Sequence, residues 1–139
     1  SAVESRDLRI LRAVLEHGGD ANLVSQGSVP LFSAIDMKSI ERIDLLIRHG
    51  ANVNYQNENG TTAIVRAAFF LNFDIVYHLL EQGADYAIAD RFGRNLVAEI
   101  MHRGLLDPST PAGQWQGRVI EWLKARGVQF EERKPPPRR

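Results

Sequence analysis

Apolar residues recur at helical spacing in several short segments of the chain, and these segments end in similar turns. The stretch FDIVYHLLEQG, residues 73 to 83, carries its apolar residues three and four positions apart, which predicts one apolar face of an α-helix. Its last residue is a glycine, which favours a left-handed helix end. Related turns occur at HGGDANL, HGANVNY and QGADYAI, which begin at residues 17, 49 and 82. The pattern therefore predicts helices that end at equivalent points.

The turns repeat at a nearly fixed interval. Gly50 and Gly83 lie 33 residues apart, and Gly18 precedes Gly50 by 32. Self-similarity of this length is typical of stacked supersecondary units. The stretch TTAIVRAAFFLN predicts a second, short helix, so each unit is predicted to be a helix pair.

We predict a single domain over residues 1–130 and a flexible tail at 131–139. The units fall at about 6–23, 24–56, 57–89 and 90–130. The first unit has only its second helix, and the last is interrupted by an insertion at 105–115. Three consecutive prolines in the tail favour extended, solvated backbone, although the tail is also compatible with a proline-motif ligand.

Many positions of the two complete units match the pattern of a known repeat family. In unit 57–89 the matching or nearly matching residues are Asn57, Gly60, Thr62, Ile64, Ala67, Ala68, Val76, Leu79, Leu80, Gly83, Ala84 and Asp85. In unit 24–56 they are Gly27, Pro30, Leu31, Ala34, Leu46, Gly50, Ala51, Val53 and Asn54. On these residues the chain resembles the ankyrin repeats, over roughly residues 7 to 130. The resemblance implies an all-α fold, a solenoid of stacked helix-turn-helix units with short hairpin loops.

The chain also departs from the ankyrin pattern at three positions. Val65 and Phe32 stand where the family usually has histidine, and Val29 replaces a threonine. Those residues usually make hydrogen bonds between neighbouring repeats, so we expect apolar packing to substitute for them here.

A stack of helix pairs buries a continuous core and leaves one long surface free for a large partner. The resemblance implies that this surface comprises the hairpin tips and the exposed side of the first helices. The positions that the family leaves variable there are Ser25, Gln26, Ser28, Asp36, Met37, Glu58, Asn59, Thr61, Phe69, Phe70, Arg91, Phe92, Arg94, His102 and Arg103. Phenylalanines beside arginines are typical of interface centres. The alternative for Phe69 and Phe70 is local packing against Leu71, which replaces the usual glycine.

The insertion in the last unit has two interpretations. It contains Pro108 and Pro111 and ends near Trp115. A long irregular connection inside a repeat is commonly functional, so we add Trp115 to the predicted partner-binding residues. The alternative is a cap, in which Trp115 and Trp122 cover the exposed end of the stack.

Composition and motifs argue against several classes of function. Seventeen basic residues balance seventeen acidic ones, so the charge excess typical of nucleic-acid binding is missing. No apolar run approaches the roughly 18 residues of a membrane span. The sequence has no cysteine, and none of the common zinc, phosphate-loop, serine-nucleophile or dinucleotide motifs. We therefore predict no catalytic residues, no metal and no cofactor.

The predicted function is binding to another protein without catalysis. The sharper hypothesis is a stoichiometric inhibitor that occludes a toxin or enzyme. The ending WQGRVIEWLKARGVQF resembles that of small bacterial ankyrin proteins, some of which act as immunity proteins against secreted effectors such as phospholipases. The location would then be the periplasm if a signal peptide has been removed, and otherwise the cytoplasm. The alternatives are a scaffold or adaptor domain of a larger protein, and self-association through the N-terminal end.

Overall fold

The structure is a computed structural model, and it describes residues 5–130. Within that range the chain forms seven α-helices and no strand. They are α1 Arg6–Glu16, α2 Pro30–Asp36, α3 Ile40–Arg48, α4 Ala63–Phe69, α5 Phe73–Glu81, α6 Leu96–Arg103 and α7 Pro111–Lys124. The predicted all-α class is therefore confirmed. The predicted tail at 131–139 lies outside the described residues.

The helices form two layers. Helices α2, α4 and α6 pack on one another in the first layer, while α1 packs on α3 and α5 packs on α7 in the second. Helix α2 also packs on α3, and α4 on α5, as expected for helix pairs. Helix α1 packs on α3 and ends in the same glycine turn, so it aligns with the second helices of the later units.

The helix ends of the second layer are equivalent. Gly18, Gly50 and Gly83 have φ angles of 90°, 90° and 89°, a left-handed conformation that strains residues with a side chain. Residues His17 and His49 cap α1 and α3, and their backbone N–H groups donate to carbonyls of the last turn. The two histidines thus occupy the same place in successive layers, as the repeat predicts.

The departures from the family pattern are filled by apolar packing. Phe32, Val65 and Val29 are all buried, and the Phe32 ring meets the ring of Tyr55 edge-on at 5.9 Å. The expected replacement of polar contacts is confirmed at these three positions.

Asparagines in the turns supply several of the hydrogen bonds between neighbouring units. The side-chain Nδ2 of Asn22 donates to the carbonyl of Gly50 at 2.9 Å, and its Oδ1 accepts from the backbone N–H of Asn52 at 2.6 Å. One unit later, Oδ1 of Asn54 accepts from the backbone N–H of Asp85 at 2.8 Å. The small polar residues of HGANVNY therefore join successive units as well as turning the chain.

The insertion is shorter than predicted, because its second half is helical. Helix α7 begins at Pro111, a residue suited to the first turn, and the hydroxyl of Thr110 caps it by accepting from the N–H of Gly113 at 3.1 Å. Only residues 104–110 are irregular. The buried side chain of Gln116 accepts from the N–H of Leu106 and donates to the carbonyl of Gly104. The loop is therefore fastened to α7, which corrects the predicted irregular stretch at 105–115.

Candidate partner-binding surface

The hairpins before α4 and α6 are built alike, because one polar side chain anchors each of them. Oδ1 of Asn57 accepts from the N–H groups of Asn59 and Thr61, both at 2.9 Å. One unit later, Oδ1 of Asp90 accepts from Phe92 and Arg94 at 2.8 and 2.9 Å. These bonds fix the conformation of the two loops. The tips of the hairpins and the exposed side of α2, α4 and α6 form what we call the hairpin face.

Two adjacent phenylalanines stand exposed at the end of α4 on this face. Phe69 is 47% and Phe70 52% exposed, and their rings meet edge to face with centroids 5.1 Å apart. Leu71, with a φ of 61°, is the half-buried residue that packs against the core. The half-exposed rings favour the predicted contact role, and the alternative of local packing against Leu71 stays a prediction.

A groove of about 220 Å³ lies beside these rings. Its lining combines aromatic rings with polar and charged groups from two hairpins and from α4 and α6. The lining residues are Asn57, Asn59, Thr61, Val65, Arg66, Phe69, Phe70, Asp90, Arg94 and Glu99. Five of the predicted contact residues thus meet in one place: Asn59, Thr61, Phe69, Phe70 and Arg94.

Arg103 joins α6 to the phenylalanines of α4. Its Nη2 donates to the carbonyl of Phe69 at 2.9 Å, and its Nε donates to Oε1 of Glu99 at 3.2 Å. Its guanidinium also lies over the Phe69 ring, 4.9 Å from the centroid. Glu99 is only 2% exposed, so its carboxylate lies beneath the arginine and away from solvent.

The third phenylalanine of the face, Phe92, projects from the tip of the last hairpin. It is 65% exposed, and two arginines flank it, with the guanidinium carbons of Arg91 and Arg94 at 5.7 and 5.2 Å from the ring centroid. Aromatic and arginine side chains are enriched at the centres of protein interfaces. This tip continues the surface that begins at Phe69 and Phe70.

Arg66 is a central member of the face that the sequence analysis missed. Its Nε and Nη2 donate to the two carboxylate oxygens of Asp36 at 2.8 and 2.7 Å, and its guanidinium lies 5.8 Å from the Phe70 ring centroid. The hydrogen bond to Asp36 raises the pKa of Arg66 above its ordinary value. No repeated sequence motif identifies Arg66. Its aligned residue in the preceding unit is Ser33, which carries no charge and so cannot form a comparable ion pair.

Other predicted contact residues lie away from this groove. Ser25, Gln26 and Met37 line a separate groove of about 460 Å³ at the N-terminal end of the stack, next to Leu11 of α1. Glu58 and His102 are exposed but line neither groove. The predicted contact residues therefore fall into an N-terminal group and an aromatic, arginine-rich C-terminal group.

Trp115 lies apart from the hairpin face, and its contact with a partner stays a prediction. It lies in α7 of the second layer, where its half-buried ring packs on Tyr77 of α5 at 5.7 Å between centroids. Trp122, further along α7, meets Tyr86 at 6.1 Å. This arrangement is the one expected of a cap over the end of the stack, because both tryptophans cover apolar surface.

Among residues 5–130, no three acidic, histidine or cysteine side chains come together as a metal site would require. No helix in the same range is both long enough and apolar enough to cross a bilayer.

Comparison with known proteins identifies the repeat. The family model for ankyrin repeats in three copies matches residues 1–90. A putative ankyrin repeat protein of Fowlpox virus is 33% identical over 92 residues, which cover 66% of this chain and 21% of that protein. A putative ankyrin repeat protein of Acanthamoeba polyphaga mimivirus is 32% identical over 65% of this chain and 59% of its own length.

A longer match is found in a mammalian protein. The ankyrin repeat and SAM domain-containing protein 6 of Rattus norvegicus is 31% identical over 88% of this chain, which spans 14% of that protein. The chain thus spans between about a seventh and three fifths of the length of these relatives. The family match over residues 1–90, together with the equivalent turns and paired helices, shows that the chain belongs to the ankyrin-repeat family.

Proposed function

We propose that this chain is a non-catalytic module that binds a partner protein through the C-terminal part of its hairpin face. Ankyrin repeats bind other proteins, and the observation that supports this particular surface is the exposure of Phe69, Phe70 and Phe92 beside arginines. Exposed rings that adjoin one another are uncommon on a monomer without a partner. Burying one phenylalanine contributes roughly 1.5 to 3 kcal/mol before the costs of association.

The mode of action that we propose is occlusion. A compact stack with one large recognition face suits a stoichiometric inhibitor that covers the active surface of a toxin or effector enzyme. The names of the relatives reported above refer to ankyrin repeats and a SAM domain, so the inhibitor role is supported only by the resemblance of the C-terminal unit to small bacterial immunity proteins. The rival role, an adaptor domain of a longer protein, is favoured by the short share of the relatives that this chain spans.

The test is capture of the partner from a lysate of the source cell, followed by mass spectrometry. We expect the double variant Phe69→Ser, Phe70→Ser to lose the captured protein, because about 1.4 kcal/mol already weakens binding tenfold. The matched control is Val14→Ser, since Val14 is 53% exposed on α1 in the other layer.

Two outcomes would contradict the proposal. Equal capture by the double variant and the wild type would place the binding surface elsewhere. A captured enzyme whose activity is unchanged by an equimolar amount of this chain would refute the inhibitor role and leave the adaptor role.

A further inference from the structure

Two ion pairs in the C-terminal part of the hairpin face are sorted by depth, with the carboxylate below and the guanidinium group above. The side chain of Asp90 is 4% exposed, whereas that of its ion-pair partner Arg94 is 45% exposed, with Nε 3.4 Å from Oδ2. Glu99 and Arg103 show the same order, at 2% and 34%. A partner that approaches this part of the face therefore meets arginine N–H groups first.

Arg91 and Arg94 have much of their hydrogen-bonding capacity left. Arg91 donates from Nη1 to the neutral side chain of Asn59 at 3.2 Å. Arg94 forms its ion pair with Asp90. The carboxylate of Asp90 is itself occupied by the two backbone N–H groups of its hairpin. A guanidinium carries five N–H donors, and stacking on a ring covers its face while leaving its edge open. Both arginines stack on Phe92, so their edges remain open to a partner.

Arg66 provides the contrast within the same face. Both of its donating nitrogens are matched to the two oxygens of Asp36, so that pair neutralises itself. A further acidic group, the exposed Glu58, lies at the tip of the preceding hairpin. Among the described residues, Arg91 thus carries positive charge without a carboxylate partner, and Arg94, paired with Asp90, adds N–H donors that are left over.

The groove beside these arginines has the size of a side chain. Its volume of about 220 Å³ is below the roughly 300 to 1,000 Å³ of small-molecule pockets. Phe69 and Phe70 form its apolar wall, and Arg94 lines it as well. One apolar side chain of a partner would fill it.

We propose that the hairpin face recognises an acidic segment of its partner, in which Asp or Glu side chains adjoin a large apolar residue. This inference rests on the proposed function and specifies the chemistry of the same site. The apolar side chain enters the groove between the phenylalanines and Arg94. The carboxylates accept hydrogen bonds from the open edges of Arg91 and Arg94, in the planar geometry that suits arginine.

The probe for this proposal is a displayed library of random twelve-residue peptides, selected on the folded chain. We expect the selected peptides to be enriched in Asp and Glu next to Leu, Phe or Trp. Their synthetic counterparts should lose affinity as NaCl rises from about 0.05 M to about 0.3 M, because salt screens exposed charge pairs. Selection of peptides without acidic enrichment, or failure to select any peptide, would overturn the proposal.

Substitutions then assign the effect to the two arginines. The double variant Arg91→Gln, Arg94→Gln should weaken the selected peptides by at least about tenfold. Arg91→Gln alone is the safer variant for folding, because Arg91 pairs with no carboxylate among the described residues, and it should weaken binding in the same direction. The matched control is Arg118→Gln, Arg126→Gln, since these arginines also stack on aromatic rings, those of Trp115 and Trp122, but lie on α7 and just beyond it.

Charge reversal gives the sharpest outcome. Selection on the Arg91→Glu, Arg94→Glu variant should yield Lys- and Arg-rich peptides in place of acidic ones. If the glutamine and reversal variants bind acidic peptides as the wild type does while Phe69→Ser, Phe70→Ser abolishes binding, the acidic preference is refuted and the proposed function stands. If the phenylalanine variant also binds normally, both are refuted.

Discussion

Two surfaces of this molecule contain the same pair of residue types, an aromatic ring with an arginine over it. They differ in how far the rings are exposed. On the hairpin face the rings of Phe69, Phe70 and Phe92 are about half exposed or more. On the cap surface, which we define by Tyr77, Tyr86, Trp115, Trp122, Arg118 and Arg126, the aromatic rings are half-buried and packed against the core.

The difference lies in what supports each ring. Trp115 and Trp122 rest on tyrosines of the preceding unit, at 5.7 and 6.1 Å between centroids. Phe69 and Phe70 contact each other and the arginines of their own face. An arginine over an aromatic ring is therefore found both on the cap surface and on the hairpin face. The two cases differ in whether the ring also packs on residues of the preceding unit.

The largest effect is expected from removing a ring of the cap surface. Trp115→Ala should lower the free energy of unfolding by about 2 to 4 kcal/mol, somewhat below the range for a fully buried tryptophan. Urea unfolding followed by circular dichroism measures it. Phe92→Ala is the matched variant of the hairpin face and should change stability by less than about 0.5 kcal/mol. Similar losses in both variants would remove the distinction between the surfaces.

A second variant tests how the loop 104–110 packs on helix α7. A Cβ atom at Gly113 would lie 1.9 Å from the carbonyl oxygen of Asp107, whereas one at Gly117 would meet no atom within 4 Å. Gly113→Ala should therefore cost about 1 to 3 kcal/mol through overpacking. Gly117→Ala should be neutral or stabilising by up to about 1 kcal/mol, because alanine favours helix.

Tryptophan fluorescence localises this second effect. The chain has two tryptophans, and both lie in α7. The emission of Gly113→Ala should shift to the red as the rings gain solvent, while that of Gly117→Ala stays unchanged. An unshifted emission in Gly113→Ala would mean that the packing of α7 does not depend on its contact with the loop 104–110.

A third variant tests the turn that places both surfaces in register. Gly83 has a φ of 89°, and a Cβ there would meet no atom within 4 Å, so any cost comes from the backbone alone. Gly83→Val should lower stability by about 1 to 2 kcal/mol, measured by thermal unfolding. Unaltered stability would show that this turn does not need a left-handed residue.

The smallest effect on stability is expected on the hairpin face itself. Phe69→Ser, Phe70→Ser should leave the free energy of unfolding within about 1 kcal/mol of the wild type, since surface substitutions seldom exceed about 0.5 kcal/mol each. The same variant should lose its partner. A large fall in melting temperature would instead assign the two rings to the cap type of surface.

The sequence by itself determined the repeat. The interval of 32 to 33 residues between Gly18, Gly50 and Gly83, with apolar residues at helical spacing before each glycine, was enough to predict paired helices and equivalent turns. It was enough because these features are local: a helix end and a left-handed glycine depend on residues close in the chain. The variable positions of the hairpin face came from the resemblance to the ankyrin repeats.

Only the tertiary structure decided which of the residues predicted to be exposed lie on the same surface. Trp115 and Phe92 are both aromatic residues that the sequence analysis placed among the contact residues. In the structure Trp115 packs on Tyr77, whereas Phe92 projects from a hairpin. Asn22 with Asn52, and Arg66 with Asp36, are 30 residues apart in each case. Contacts of that range depend on how successive layers are stacked, and no local pattern of hydrophobic and polar positions encodes them. Burial of a side chain is likewise a property of its neighbours in space, so it became definite only when the layers were in place.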